Sequence, residues 1–420
     1  MSYRKQFDVV VIGGGPAGMM AAGRAAECGA RVVLLEKNSR LGEKLLISGG
    51  GRCNLTNAEP DRHNFLAKYT DAAKFLHSPF SKFGVAETLE FFHARNMQTK
   101  IEPGNRVFPV SDNAQSVFDV LEGYMKEGKV KVLPGSIVSS LETKEGFVTG
   151  VVLKGGNRVE GKKYILATGG KSHPETGSTG DGFEWLKNIG HTTIDPDPSL
   201  VPVRVKDKWV RDLSGLSFED VKLSILQGEK KQGSRRGKLL FTHFGLSGPL
   251  VINMSKDIGE SLKYGETGVS VDFFPASDIK ALDMKIQEVF SKNLNKQIKN
   301  VLKEIVMPLL VPVLLRLANI DPDKEVNGIT REERMTLGKL LKDFRLSVSG
   351  LLGPEKAIVT SGGVALSEVD FSAMRSRLYP NLFLIGDILD IDRPSGGYSL
   401  QLCFTTGYVA GGASALTDSE

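Results

Sequence analysis

FDVVVIGGGPAGMMAAGRAAECGARVVLLE, residues 7–36, decides the fold. Val9–Ile12 is a short apolar run rich in β-branched residues, the pattern of a buried strand. Gly13, Gly15 and Gly18 follow at G-x-G-x-x-G spacing, and Pro16 to Cys28 is Ala-rich, as suits a helix packed closely on a sheet. Arg31–Leu35 reads as a second buried strand, closed by Glu36. The glycines act in different ways. Gly13 permits a tight turn, Gly15 leaves room for a pyrophosphate, and Gly18 lets the helix approach the strand. The helix N-terminus presents unpaired N–H groups to the phosphates, and Glu36 can accept from ribose hydroxyls. The whole is a dinucleotide-binding unit, and by itself it leaves FAD and NAD both open.

The remaining composition narrows the class. A chain of 420 residues exceeds the usual single domain. Its net charge of +5 is compatible with an anionic partner and does not demand one. No stretch is apolar enough for a membrane span, since Arg24 and Glu27 cut the run after Gly18. The first strand begins so early that no room is left for a signal peptide, which makes the cytoplasm the expected location. Cys28, Cys53 and Cys403 are scattered, with no C-x-x-C and no zinc-type spacing, so neither a redox disulfide nor a metal site is expected.

Along the chain, Gly49-Gly50-Gly51 cannot be a helix interior without entropic cost. It reads as a loop passing close to something flat or anionic, with Lys44 and Arg52 beside it, or else as a flexible surface loop. Residues 71–97 have helical period, Arg106–Pro109 is a short strand or turn, and Ala114–Lys126 is a helix. Residues 130–161 form a β-meander leading to the strand Lys163–Gly170. Gly177–Gly182 reads as a turn feeding a helix with Trp185 and Leu186 inward. Asp195-Pro-Asp-Pro198 breaks regular structure and marks a boundary. Residues 195–275 are expected to be β-rich, with GEKKQGSRRGK (228–238) as a basic hairpin tip, and 276–345 helical, with Leu282, Ile286 and Val289 inward. Strands resume at LSVSGLLG (346–353), AIVTSGGV (357–364) and LFLIGD (382–387). GGYSLQLCFTTGYVAGG (396–412) opens a helix apolar nearly all round, hence buried. The expected division is 1–194 with 346–420 as one discontinuous domain, and 195–345 as an insert.

Three separated pieces agree: the 7–36 unit, the Ala167-Thr168-Gly169 strand end, and Gly386-Asp387 before a glycine-led helix. Together they resemble an α/β, Rossmann-like FAD-binding domain of the glutathione-reductase and succinate-dehydrogenase type, carrying a β-rich plus helical insert. More narrowly, SGGGRCNLTN, ATGGKSHPETGSTGDG, FTHFGLSGP, TSGGVALSEVD and GGYSLQLCFTTGYVAGG resemble the BaiN/RdsA family of NAD(P)/FAD-dependent oxidoreductases over nearly the whole chain. The resemblance implies FAD, reduction of activated C=C bonds in steroid-like enones or in RNA uracil rings, and NAD(P)H as a donor. No second Rossmann unit is visible, so NAD(P)H would dock only transiently.

It also implies roles residue by residue. Gly13, Gly15, Pro16, Ala17 and Gly18 would hold the pyrophosphate and Glu36 the adenosine ribose, with Lys37 also among the cofactor-binding residues. Val138 would touch adenine through its backbone. Lys44, Ser48, Gly51, Arg52, Cys53 and Asn54 would lie along the flavin, near Ala167, Thr168 and Gly169. Gly386 and Asp387 would meet the ribitol; many relatives carry Gly-Glu here, and either acid can accept its hydroxyls. Gly397, Tyr398, Ser399, Leu400 and Gln401 would present helix N–H groups to the flavin N1–C2=O edge, where reduced flavin gathers negative charge. Candidate proton donors are His243, Tyr398 and His173. Competing functions are a flavin oxidase using oxygen and an RNA-binding flavoprotein without turnover, using the basic hairpin near Arg235. Neither a membrane nor a stable DNA partner is expected.

Overall fold

A computed structural model describes residues 3–416, apart from 354, 356 and 358. The chain divides into two compact units: Met1–Ser199 with Ala357–Glu420, and Leu200–Lys356. In the first, β1 (Tyr3–Ile12) pairs in parallel with β2 (Val32–Leu35) on one side and with the strand Arg158–Leu166 on the other. Lys131–Leu133 extends the parallel sheet beyond β2, and Leu382–Leu384 extends it beyond Arg158–Leu166. Val9, Val10 and Val11 are wholly buried, as continuous β-branched runs are when both faces of a parallel sheet are covered. The meander strands Val138–Lys144 and Phe147–Leu153 attach antiparallel to the same sheet.

One face of this sheet carries α1 (Pro16–Glu27), and the helix Tyr398–Ala415 lies against α1 at very close range. A Cβ placed at Gly407 would come within 2.5 Å of the Ala17 carbonyl oxygen, and one at Gly411 within 2.5 Å of that of Ala21. The Tyr398–Ala415 helix is buried through most of its length, as its all-round apolar pattern requires.

The second unit is a closed six-stranded barrel, with strands Val203–Val205, Gly245–Ser247, Lys230–Thr242, Ser217–Gln227, Thr267–Asp272 and Phe344–Leu351. Its helices share one core with it: Leu282, Ile286 and Leu341 pack in the same cluster as Val221, Phe241 and Phe344. The 276–345 stretch is helical as expected, and its helices complete the barrel's core rather than forming one of their own. LSVSGLLG also differs from expectation: residues 346–351 close the barrel rather than returning to the parallel sheet. Its alternating burial is that of a strand with one face toward water, as in the barrel, and not of the doubly covered parallel sheet.

Three further readings are corrected. Residues 71–97 are two helices, Ala73–Lys82 and Val85–His93, because Gly84 ends the first and its N–H is capped by Glu87. The Asp195–Pro198 stretch is not a break but part of the strand Thr193–Ser199, paired antiparallel with Val359–Val364. That ribbon has only two strands, so a proline's missing donor can face away from the ladder. Ile358, which the expected strand included, lies outside the described residues. Finally, the basic run is more than a hairpin tip: Gly228 and Glu229 make the turn, the rest runs along strand Lys230–Thr242, and three of its positive charges are matched. Arg236 pairs with Asp220, Lys238 with Glu219 and Arg235 with Asp257. Among the described residues, no helix is long and apolar enough to cross a membrane.

Two outcomes follow from this packing. Gly411→Val forces a side chain into the helix contact and should cost about 1–3 kcal/mol in chemical denaturation. Gly412→Ala, whose methyl would meet only Arg24 at 3.7 Å, should be near neutral. The second concerns His191, whose side chain is fully buried between Glu368 (2.8 Å from Nδ1) and Ser376 (3.0 Å from Nε2). Burial holds its pKa below the ordinary 6.5 against the opposing pull of Glu368. The unfolded chain then binds more protons below pH 6.5, so stability should fall on acidification through that value. His191→Gln should flatten the pH dependence of the urea midpoint there.

Candidate active site

A cavity of about 530 Å³ lies in the first unit, its wall built entirely from residues before 186 and after 384. Its floor is the fingerprint turn. Gly13 has φ +105°, which a residue with a side chain rarely adopts, and donates to the Leu35 carbonyl. Gly15 caps α1 without any side-chain acceptor, and Pro16 takes the first helical position, so the first-turn amides of α1 have no side-chain acceptor at the cap. The first turn of the Tyr398–Ala415 helix also reaches the cavity, through Ser399 and Leu400, and its Gly397 cap offers no side-chain acceptor either. Two helix N-termini thus converge on one space.

Acidic groups stand at separate points of the wall. Glu36 accepts from the N–H of Gly14 at 2.7 Å and of Asn38 at 2.8 Å, so its carboxylate is fixed by the backbone on either side. Asp387 is held by Arg393, and the Lys44 ammonium lies 3.8 Å from its other oxygen. Lys44 also donates to the Ser172 hydroxyl at 2.7 Å. Burial pushes the Lys44 pKa down, while Asp387 pulls it up. The buried Thr168 hydroxyl has no protein partner.

Sixteen expected cofactor residues form the wall: Gly13, Gly15, Pro16, Ala17, Glu36, Lys37, Lys44, Ser48, Val138, Ala167, Thr168, Gly169, Gly386, Asp387, Ser399 and Leu400. The others stand outside it. Gly18 lies where an added Cβ would meet the Gly13 carbonyl oxygen at 1.9 Å, so it serves the contact between helix and turn. Arg52 turns away to Glu102 and Asp112, stacked 4.2 Å over Phe108. Cys53 is wholly buried, with its thiol pushed up to about 12 by that burial. Asn54, oriented to suit its neighbours, donates to the Thr56 and Val107 carbonyls and accepts from the Gly397 N–H. Gln401 is a buried hub, accepting from Thr56 and donating to Thr88, Thr405 and the Gly84 carbonyl. Gly397 lies where an added Cβ would meet the Thr56 carbonyl at 2.3 Å, and Gly51 ends the turn Ser48–Gly51 at φ +86° with open space beside it.

The proton-donor candidates are scattered. Tyr398 packs its ring on Phe65 at 4.9 Å and on Tyr69, and is not in the wall. His243 is exposed on the turn between two barrel strands of the second unit. His173 does line the cavity, with Nδ1 2.7 Å from Glu175 and φ +53°. Sequence reasoning missed the segment around it. Thr176–Asp181 forms part of the wall, tied down by Lys37 to Thr179 at 2.5 Å and to Asp181 at 3.0 Å, and by Asn38 to the Thr176 carbonyl. The glycines 177 and 180 were the available signal. Cys403 also lines the cavity, and burial pushes its thiol up to about 12.

Two cradles of helix N–H groups, small residues at the turns, acids at separate points and an unpartnered buried hydroxyl suit an elongated anionic dinucleotide. A family model described as the HI0933-like protein Rossmann domain matches residues 7–413. The chain belongs to this family, that of the BaiN/RdsA flavoproteins. It is 33% identical over 413 residues to a 3-dehydro-bile acid delta(4,6)-reductase of Clostridium scindens, covering 96% of this chain and 98% of the relative. It is 28% identical over 407 residues to a ribosomal RNA dihydrouridine synthase of Escherichia coli, covering 96% and 97%. Among solved structures, a 3-ketosteroid-delta4-(5alpha)-dehydrogenase of Rhodococcus jostii matches with TM-score 0.55 at 15% identity, over 99% and 98% of the two chains. The open form of a flavocytochrome c3 fumarate reductase matches with TM-score 0.50 at 16%, over 98% and 78%. The fold of this BaiN/RdsA-family protein is accordingly a Rossmann-type FAD-binding fold of the fumarate-reductase kind.

Glu36 offers a direct test of the site's construction. Glu36→Ala leaves the Gly14 and Asn38 N–H groups without their acceptor and should lower the stability of the cofactor-free protein by about 1–3 kcal/mol. Glu36→Gln, which still accepts through its amide oxygen, should lose less in the same denaturation experiment.

Proposed function

We propose that this protein is a cytoplasmic FAD-dependent oxidoreductase that reduces an activated C=C bond with electrons from NAD(P)H. The observation that carries the reading is the cavity between two helix N-termini, inside a chain that aligns end to end with two relatives. One relative is named a delta(4,6)-reductase of a 3-dehydro-bile acid and the other a dihydrouridine synthase of ribosomal RNA. Both names describe saturation of a carbonyl-conjugated double bond. The substrate class is therefore an enone or a uracil-like ring, either as a small molecule or within RNA.

FAD, when bound, supplies the hydride chemistry. The chain supplies the rest. Glu36 and Asp387 would accept hydroxyl hydrogen bonds from the adenosine ribose and the ribitol. The first-turn amides of α1 would meet the pyrophosphate. The Ser399 and Leu400 amides would face the flavin edge that gathers charge. The site also needs a proton at the substrate α-carbon. His243 is the proposed donor, as the one titratable side chain of the turn between Thr242 and Gly248; Tyr398, packed on Phe65 and Tyr69, is the weaker one. A second reading assigns the proton to His173, favoured by its place in the cavity wall beside Glu175.

Purified protein should be yellow and release FAD; FMN as the sole flavin on chromatography would sink the proposal. In stopped-flow work, the donor's Ala variant should leave flavin reduction by NAD(P)H intact and slow substrate reduction by roughly 10²–10⁴-fold. His243→Ala and His173→Ala, measured side by side, assign the donor. Oxygen uptake at full rate without an enone would favour an oxidase instead.

A further inference from the structure

Arg393 is a buried cation that the proposed mechanism does not use. Its side chain has no exposed surface. Its guanidinium is spread over three acceptors. One terminal nitrogen donates to the Asp387 carboxylate, the other to the Ile391 carbonyl at 2.6 Å, and Nε to the Ser399 hydroxyl oxygen at 3.0 Å. Asp387 and Ser399 both line the cavity, yet they come from different elements. Asp387 follows the strand Leu382–Leu384, and Ser399 stands in the first turn of the helix Tyr398–Ala415. Arg393 therefore joins two pieces of the wall from behind, while Lys44 approaches the same carboxylate 3.8 Å away.

A stability role alone explains this arrangement poorly. Burying an ion pair costs desolvation that its Coulomb attraction barely repays, and a well-packed apolar residue would serve the core as well. What a guanidinium adds is a rigid fork, able to fix several acceptors at set angles, together with a positive charge.

We infer that Arg393 is a positioning residue for the cofactor: it sets Asp387 and the first helical turn in one fixed relation and places positive charge behind the wall they form. This rests on the FAD reading above. With Arg393 in place, the ribitol acceptor is oriented before the cofactor arrives, and the added charge favours the cofactor's electron-rich state over its oxidised one.

The experiment compares Arg393→Lys and Arg393→Gln with the parent protein by three measurements: FAD titration of the cofactor-free protein, the midpoint potential of bound FAD by dye equilibration, and thermal melting. Lysine keeps the charge but cannot span three acceptors. It should weaken FAD binding by roughly ten-fold or more while leaving the potential close to that of the parent. Glutamine removes the charge as well. It should weaken reduced FAD about ten-fold more than oxidised FAD, equivalent to a fall of about 30 mV for a two-electron couple. Affinity within two-fold of the parent in both variants, with an unchanged potential, overturns the inference even if melting falls, because that is the signature of a purely structural residue. Should the glutamine variant not fold, unchanged FAD affinity in the lysine variant overturns it alone. A parent protein that takes up no FAD refutes the functional reading itself, a result distinct from loss in the variants only.

Discussion

The structure depends on how closely α1 approaches its neighbours. On one side Gly18 sits against the Gly13 carbonyl, with no room for a side chain between helix and turn. On the other, Gly407 and Gly411 bring the Tyr398–Ala415 helix onto the Ala17 and Ala21 carbonyls. Small residues four apart lie on one helix face, so two such faces can meet with backbones nearly touching. The consequence is positional. Two helices from opposite parts of the chain lie side by side with their first turns at one cavity. A larger side chain at these contacts would separate the two N-termini and divide the site.

Electrostatics in the cavity follows from that geometry. Helix N-termini favour negative charge, and the more so away from water. Acids placed beside them must be held, because a loose carboxylate would compete with the ligand for the same amides. Two of the wall acids are held in different ways. Glu36 is fixed by two backbone N–H groups, which leaves oxygen lone pairs for further donors. Asp387 is fixed by Arg393, with Lys44 near its second oxygen. The two buried cysteines take no part in such chemistry: burial keeps the Cys53 and Cys403 thiols up at about 12, far from the thiolate needed for exchange.

The glycine-rich blocks were legible in the sequence but not their division of labour. SGGGRCNLTN and GGYSLQ both belong to the site, yet only Ser48, Gly49, Gly50, Ser399 and Leu400 among them face the cavity. Asn54 and Gln401 spend their amides inside the protein, tying the loop to the helix start. From sequence, a polar residue in a binding motif looks alike whether it contacts a ligand or braces the residue that does. The basic strand shows the same ambiguity: its lysines and arginines suggested a free positive patch, and the partners Glu219, Asp220 and Asp257 became visible only when strand pairing and helix packing set them opposite.

The sequence by itself determined the parallel Rossmann core, the fingerprint turn, Glu36 at the end of β2 and the buried glycine-led helix. These rest on contacts within some thirty residues, where spacing along the chain already fixes spacing in three dimensions. Only the tertiary structure decided that residues 346–351 complete a barrel, that 176–181 wall the cavity, and that Arg393 grips Asp387 and Ser399 together. Each of these joins elements by packing and hydrogen bonding rather than by local pattern. A strand's period does not name its partner, and a lone arginine gives no sign of the carboxylate it will be buried against.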